Sequence, residues 1–287
     1  MTEKRQKPAV VTEFETLIRE LHRLVEQMPE VSLEGLSAQK LRRFRATITD
    51  AAEKLNRLRY ELDPVKQPKA LFDPSNPSIV GRFVALALLA QPRRPLAAVG
   101  RFYGSGVYAL YYNGDFESYL PIANTEHPIY VGKADPADPA AKTPADQGDK
   151  LAKRLDDHRK SITKAQEHPT GTLRLADFEC RFLVVQSGWQ TAAEDYLIDL
   201  YKPVWNNETS ICYGFGKHGD AAETRTNQRS PWDTLHPGRP WADNSLLQDA
   251  KTPNLICREI TEHLTLNPPL TTIEAVFERF IEEMRQT

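Results

Sequence analysis

The chain of 287 residues has little cysteine and no long hydrophobic run. Its three cysteines, Cys180, Cys212 and Cys257, are odd in number and widely spaced, and no Cys-x-x-Cys pair occurs. Neither a disulfide framework nor a structural zinc site is therefore indicated, and buried thiols are expected. The most apolar stretch, residues 84–90, is far too short to cross a bilayer, and the mean hydropathy of -0.53 also argues against a membrane protein.

An excess of charge of one sign is also absent, because 37 Lys and Arg residues face 39 Asp and Glu residues. The balance is uneven along the chain. Residues 64–112 hold six bases against Asp73 alone, whereas residues 231–287 hold five bases against nine acids. A protein with a basic middle and an acidic tail can meet a polyanion on one surface, and the alternative is a chance fluctuation of solvated charge.

The composition itself is that of an ordinary globular protein, with 40% hydrophobic residues to form a core. At this length one large domain or two small ones are expected. Residues 1–8 are charged and lead into helical sequence without the apolar segment of a secretory signal, so a cytoplasmic location is expected.

Apolar residues recur at helical spacing near the start of the chain. They predict two amphipathic helices, over residues 14–25 and 41–62, that form a helical hairpin. Ser37 is placed as the N-cap of the second helix. The Asp-Pro pair at residues 63–64 ends that helix, because a residue before proline disfavours the helical region.

The middle of the chain alternates short strands, turns and helices, which predicts a small α+β unit. The predicted strands are residues 107–112, 129–132 and 178–184. The predicted helices are residues 150–164 and 191–201, with a buried helix over 79–90 before them and an amphipathic helix over 273–284 after them. We expect three segments: a helical region and linker that pack on the core over residues 1–100, the core over 101–210, and a loop with a helical extension over 211–287.

Two of the predicted strands place a tyrosine near a glycine. Tyr108 follows Gly106 in the sequence Gly-Val-Tyr, and Tyr130 precedes Gly132 in Tyr-Val-Gly-Lys-Ala. A phenol beside open backbone suits a large ligand such as a phosphodiester. Tyrosine in a strand more often only packs, so the pair alone is a weak indication.

Four polar residues later in the chain strengthen the indication of a phosphodiester ligand. Arg154 and His158 are four residues apart in a predicted helix, so they project from one face and can converge on a single anion. The alternative is a solvated face, because charged residues surround them. Glu194 borders the apolar stripe of the next helix, where an exposed charge is the alternative. Asn206 follows the end of that helix, where an asparagine can also simply cap a turn.

Taken in order, these motifs resemble the GIY-YIG nuclease superfamily: paired tyrosine motifs, an arginine with a histidine one turn later, a glutamate on the next helix, and Pro-x-x-Asn. The resemblance spans residues 106–207 and implies a small antiparallel three-stranded sheet flanked by helices. Valine replaces isoleucine in both tyrosine motifs, and residues 113–128 form a longer stretch than is usual there. The chain looks similar to the type II restriction endonucleases of this superfamily at residues 72–82, 107–112, 128–134 and 232–239.

The resemblance implies phosphodiester hydrolysis by in-line attack of water. Glu194 would hold one Mg²⁺ or Mn²⁺ ion, since a hard cation is commonly bound through one carboxylate, waters and phosphate oxygens. Arg154 would contact the scissile phosphate. Tyr108 would be the general base, although its reference pKa of about 10 requires nearby positive charge; His158, at about 6.5, is the rival base or the acceptor of the Tyr108 proton. The residues that would position water and phosphate are Tyr130, Lys133 and Asn206.

Sequence-specific DNA contacts must come from outside this core, because phosphate contacts position DNA and groove contacts carry sequence. The loops after the core are polar, basic and aromatic together, which suits a groove-entering loop; the alternative is a loop held by tryptophan packing. The residues expected to contact DNA are Arg93, Arg94, Arg225, Gln228, Arg229, His236 and Arg239.

The resemblance further implies double-stranded DNA as the substrate and a GC-rich palindrome such as CCGCGG as its site. A homodimer or higher homo-oligomer is expected for cutting both strands of a palindrome. A cognate DNA methyltransferase would be a functional partner in the cell, and no membrane is involved.

Three other interpretations stay open. A DNA repair endonuclease shares the tyrosine motifs, although the long helical N-terminal portion counts against it. A non-catalytic DNA-binding module with a nuclease-like fold is disfavoured because the candidate catalytic residues are all present. A helical interaction protein rests only on the terminal helices, and it predicts that the residues between Tyr108 and Asn206 are scattered in space.

Overall fold

The computed structural model describes residues 9–285 apart from 31, 34, 37, 66–72, 74–75, 217–227 and 244–245. The chain divides into two compact units, Met1–Lys69 and Ala70–Thr287. The predicted N-cap Ser37 lies outside the described residues. The division into segments 1–100, 101–210 and 211–287 stays a prediction.

The first unit contains two helices, as expected from the apolar spacing: α1 (Ala9–Gln27) and α2 (Ala38–Glu61). Both are amphipathic, yet their apolar side chains are largely exposed. Leu17, Phe44 and Ile48 keep about half of their surface or more open to solvent. These faces therefore do not bury one another, as a tightly packed hairpin would require.

The second unit contains the sheet and the helices that flank it. Proline begins several helices after a side-chain cap: Asn76 accepts a hydrogen bond from the Ser78 amide, and Thr252 accepts one from the Leu255 amide. The elements in chain order are α3 (Pro77–Leu89), β1 (Arg94–Pro95), β2 (Gly106–Tyr112), β3 (Tyr130–Ala134), α4 (Pro144–Gln147), α5 (Lys150–Glu167), β4 (Phe178–Val184), α6 (Gln190–Tyr201), β5 (Gln228–Arg229), α7 (Pro231–Leu235), β6 (Gln248–Asp249), α8 (Pro253–Leu266) and α9 (Ile273–Arg285).

The main sheet is antiparallel and has the strand order β1-β4-β2-β3. The α+β class is confirmed, and the three predicted strands are β2, β3 and β4. The sheet has four strands rather than three, because the two-residue β1 pairs Arg94 with Cys180 at the edge. A strand of two residues that includes Pro95 shows no alternating pattern, so its sequence gave no signal.

Strand β2 is buried along its whole length on both faces. On one face, Tyr108 and Leu110 pack in a core with α5, α8 and the aromatic residues after α6. On the other face, Ala109 and Tyr111 pack against α3 and α6. The sheet thus separates two helical layers, and β2 contributes to both cores.

The remaining expectations concern helices and thiols. Phe280 of α9 packs edge-on against Phe83 of α3 and Tyr196 of α6. Cys180 and Cys212 are buried free thiols as predicted, whereas Cys257 is only partly buried. Within the described part of the chain, no helix has both the length and the apolar character that a bilayer span requires.

Candidate active site

The two tyrosine motifs meet because β2 and β3 are neighbouring antiparallel strands. Tyr108 pairs in register with Gly132. A Cβ at position 132 would lie 2.5 Å from the Tyr108 hydroxyl oxygen, so only glycine leaves room for the phenol. Gly106 has φ +156°, and a Cβ there would lie 2.0 Å from the Leu183 carbonyl oxygen of β4. The glycines therefore let the strands and the tyrosine approach closely.

The phenol of Tyr108 forms a 2.6 Å hydrogen bond with Nε2 of His158. Both side chains are fully buried, and the Tyr130 ring lies edge-on to the imidazole at 5.1 Å between centroids. Burial raises the pKa of Tyr108 well above its usual value; the neighbouring Tyr130 raises it further and Arg154 offsets part of the effect. Burial likewise raises the pKa of Tyr130, to about 12.

An open cleft lies beside this pair and is lined by candidate residues from three elements. Tyr130 and Lys133 come from β3, Arg154 from α5 and Glu194 from α6. Arg154 and His158 lie one turn apart on α5, yet their environments differ: His158 is buried in the core, whereas Arg154 is exposed on the cleft wall. The residues from Tyr108 to Asn206 are gathered rather than scattered, which contradicts the helical interaction protein.

Glu194 and Lys133 form an ion pair in the cleft, with 3.5 Å between Oε2 and Nζ. Lys133 also donates a 2.8 Å hydrogen bond to the Thr191 hydroxyl, one turn before Glu194 on α6. Burial raises the pKa of Glu194 to about 7, although Lys133 works against this shift. Lys133 therefore balances the negative charge of the Glu194 carboxylate only in part, and a second cation nearby would stabilise the ionised form.

The carboxylate of Glu194 is the candidate metal ligand. No cluster of three or more His, Cys, Asp or Glu ligands occurs among the residues that the structure describes. A hard oxygen ligand on an open cleft, such as this carboxylate, fits a cation that keeps several waters and also binds substrate phosphate oxygens, as Mg²⁺ and Mn²⁺ do.

Asn206 is tied to the backbone of β3. Its Oδ1 accepts a hydrogen bond from the Val131 amide and its Nδ2 donates one to the Val131 carbonyl, both at 2.9 Å. The side chain is buried and aligns the strand between Tyr130 and Gly132. Asn206 therefore supports β3, the strand that forms part of the cleft wall.

Three of the expected DNA contacts are engaged inside the fold instead: Arg239 and His236 are fully buried and Arg93 is partly buried. The Arg239 guanidinium is fully buried and binds both carboxylate oxygens of Asp233. His236 is fully buried between Tyr119 and Thr172, and burial lowers its pKa to about 3. Arg93 donates to the Thr125 carbonyl, pairs with Glu126 and Glu179, and stacks on Tyr111. Residue type revealed the basic character of these side chains and not their burial.

The other expected DNA contacts differ in how far they are exposed to solvent. Arg94 and Gln228 are exposed. Arg229 is partly buried and pairs with Asp249 at 2.7 Å, which fixes the short parallel pair β5-β6. Arg225 lies outside the described residues.

Several residues near the site were not predicted. Lys150, Lys153 and Asp157 line the cleft with Arg154, and their spacing on one face of α5 was a usable signal. Gln147, at the end of α4, is buried; its side chain accepts a hydrogen bond from the Ser105 amide and donates one to the Val185 carbonyl. Neither its residue type nor its surroundings in the sequence announced this role.

The family model of the Eco29kI GIY-YIG domain matches residues 100–264, which is more than half of the chain and includes every element of the cleft. No curated protein matches the chain. The protein therefore belongs to the Eco29kI GIY-YIG family and is a DNA-acting nuclease of the restriction endonuclease type.

Proposed function

We propose that the protein is a type II restriction endonuclease that hydrolyses double-stranded DNA at a specific palindromic site. The observation that carries the proposal is the 2.6 Å hydrogen bond between Tyr108 and His158 beside a cleft that presents Arg154, Lys133 and Glu194. A proton acceptor, phosphate-binding cations and a hard metal ligand are the groups that phosphodiester hydrolysis requires.

The proposed proton path runs from water to Tyr108 and on to His158. Burial raises the pKa of Tyr108 well above its usual value, which disfavours a free phenolate. A relay avoids the phenolate, because the phenol passes its proton to Nε2 of His158 as its oxygen receives one from the attacking water. The new P–O bond forms as the P–O bond to the leaving oxygen breaks, and His158 holds the proton released.

The cleft side chains bind and orient the scissile phosphate. Arg154 offers a planar donor pair to two phosphate oxygens, which neutralises charge that develops in the transition state. Lys133 adds a second positive charge, and Tyr130 orients water or phosphate from the cleft wall. Glu194 would hold one Mg²⁺ or Mn²⁺ ion, which when bound stabilises charge on the leaving oxygen.

The proposal extends to the site and the assembly. A two-fold symmetric homodimer or a higher homo-oligomer is the assembly proposed for cutting both strands of a palindrome. A GC-rich palindrome such as CCGCGG is the proposed site, Arg94, Gln228 and Arg225 are the proposed DNA contacts, and a cognate methyltransferase would protect the host DNA. The proposed location is the cytoplasm.

The test is cleavage of several sequenced plasmids, including a matched pair with and without one CCGCGG site. The purified protein is incubated with Mg²⁺, with Mn²⁺ and with EDTA, and the fragment ends are sequenced. Glu194→Ala is compared with Asp199→Ala, which removes an exposed carboxylate from the same helix. Discrete metal-dependent fragments are expected from wild type and Asp199→Ala and not from Glu194→Ala.

The alternatives give different patterns. Structure-dependent or nonspecific nicking would favour a repair endonuclease. Binding without cleavage of any plasmid would favour a non-catalytic module. Equal cleavage by Glu194→Ala and wild type would overturn the role proposed for Glu194.

A further inference from the structure

Phe215 stacks face to face on the imidazole of His158. The ring centroids are 4.4 Å apart and the planes differ by 15°. Phe215 is fully buried, and its ring is also edge-on to Tyr130. Tyr108 contacts the same imidazole at 5.4 Å between centroids. Three aromatic side chains therefore surround His158.

The backbone that carries Phe215 is held by the buried Arg239. Its guanidinium donates hydrogen bonds of 2.9 Å to the Gly214 carbonyl and 3.2 Å to the Phe215 carbonyl. The same group pairs with both oxygens of Asp233 at 2.6 and 2.7 Å. It also lies 4.5 Å from the ring centroid of Trp232. A buried, fully engaged guanidinium of this kind fixes backbone position through several directed bonds.

A hydrogen bond to Nε2 fixes one atom of an imidazole and leaves the ring free to rotate about that contact. The final side-chain torsion of histidine has a broad preference, so packing must select the ring plane. The parallel face of Phe215 limits tilting of the ring out of that plane. The Nε2 lone pair lies in the ring plane, so the orientation of that plane decides how well Nε2 can accept a hydrogen bond from the Tyr108 hydroxyl.

We propose that Phe215 is a positioning residue that holds the imidazole of His158 in line with the Tyr108 hydroxyl, and that the Arg239–Asp233 pair holds Phe215 in place. The catalytic consequence rests on the proposed function of Tyr108 and His158. The positioning itself is a property of the free protein and can be measured without DNA.

The test compares Phe215→Leu with Phe178→Leu. Phe178 is an equally buried phenylalanine of the same core, and it packs on Tyr112 and Trp205. Protein with ¹⁵N-labelled histidine side chains is examined by NMR, and the His158 signals are assigned with His158→Gln. Single-turnover cleavage and DNA affinity in EDTA are measured on the same samples.

In Phe215→Leu we expect the Nε2 chemical shift of His158 to move away from its hydrogen-bonded value. We also expect the single-turnover rate to fall at least about 10-fold relative to Phe178→Leu, with unchanged DNA affinity. Phe215→Met serves as the second variant should the leucine variant not fold. An unchanged Nε2 shift, or an equal change in Phe178→Leu, would overturn the proposal. Failure of wild type to cleave DNA contradicts the proposed function alone, because the NMR comparison still decides the positioning.

Discussion

The hydroxyl of Tyr108 lies over Gly132, its partner on the neighbouring strand, in space that a side-chain carbon would fill. A Cβ at this position would come within 2.5 Å of the hydroxyl oxygen, 2.7 Å of the ring carbon that bears it and 3.0 Å of the Tyr130 ring. The glycine of the second tyrosine motif is thus required by the tyrosine of the first. The two motifs form one packing unit across the β2-β3 pair.

Gly132→Ala is therefore expected to displace both phenols. We expect DNA cleavage to fall about 100-fold, because misplacement by about 1 Å has that effect on a positioned reaction. Plasmid cleavage and circular dichroism measure activity and folding. Gly100→Ala is the control, since a Cβ at position 100 meets no atom within 4 Å. Full activity in a folded Gly132→Ala protein would contradict the steric argument.

Asn206→Ala is expected to lower the free energy of unfolding, because it removes two hydrogen bonds to β3. The substitution leaves the buried amide and carbonyl of Val131 without their side-chain partner, at a cost of about 1–3 kcal/mol for each unsatisfied group. The measurement is urea unfolding together with the cleavage rate. Asn207→Ala, at an exposed neighbouring position, should leave both unchanged. Wild-type stability in the Asn206 variant would mean that these hydrogen bonds contribute nothing net.

Glu194→Gln is expected to be more stable than wild type at alkaline pH while losing cleavage. Burial raises the folded pKa of Glu194 to about 7 from a usual value near 4.5, so ionisation costs stability as pH rises through this window. In EDTA, the variant should have a higher unfolding temperature than wild type at pH 8.5 and a similar unfolding temperature at pH 5. A constant difference across this range would argue against a raised pKa.

Lys153→Ala is expected to weaken DNA binding through loss of a phosphate contact. Lys153 is exposed, lines the cleft that contains Glu194 and also lines a neighbouring cleft with Arg101 and Arg159. The plot of log affinity against log salt should lose about one unit of slope, because one fewer phosphate is neutralised. Arg258→Ala removes an exposed charge on α8 that lines neither cleft, and it serves as the control. Equal slopes for the two variants would exclude the contact.

The central strands and helices could be predicted because their periodicity is strong. Alternation in β4 and helical spacing in α5 gave positions within a few residues of those observed. The edge strand β1 could not be found, since two residues carry no period. The exposure of the apolar faces of α1 and α2 could not be predicted, because spacing identifies an apolar face and does not identify what covers it.

The candidate site could be predicted in its motif residues and less well around them. Ordered motifs identified the residues that meet at the cleft, whereas burial of Arg239 and His236 depends on contacts with Gly214, Phe215 and Tyr119, which are distant in sequence. Phe215 carries no local signal at all. Its place beside His158 arises from Arg239, 24 residues later, which binds the Phe215 carbonyl.

Strand β2 is hydrogen-bonded on both edges and buried on both faces, and Tyr108 is the third of its seven residues. Its amide protons can exchange with solvent only when the sheet itself comes apart, so they should be among the slowest in the chain. Fraying of helices that carry none of the candidate site residues, such as α8 and α9, would leave the candidate site intact. Loss of activity on heating should then coincide with global unfolding instead of preceding it.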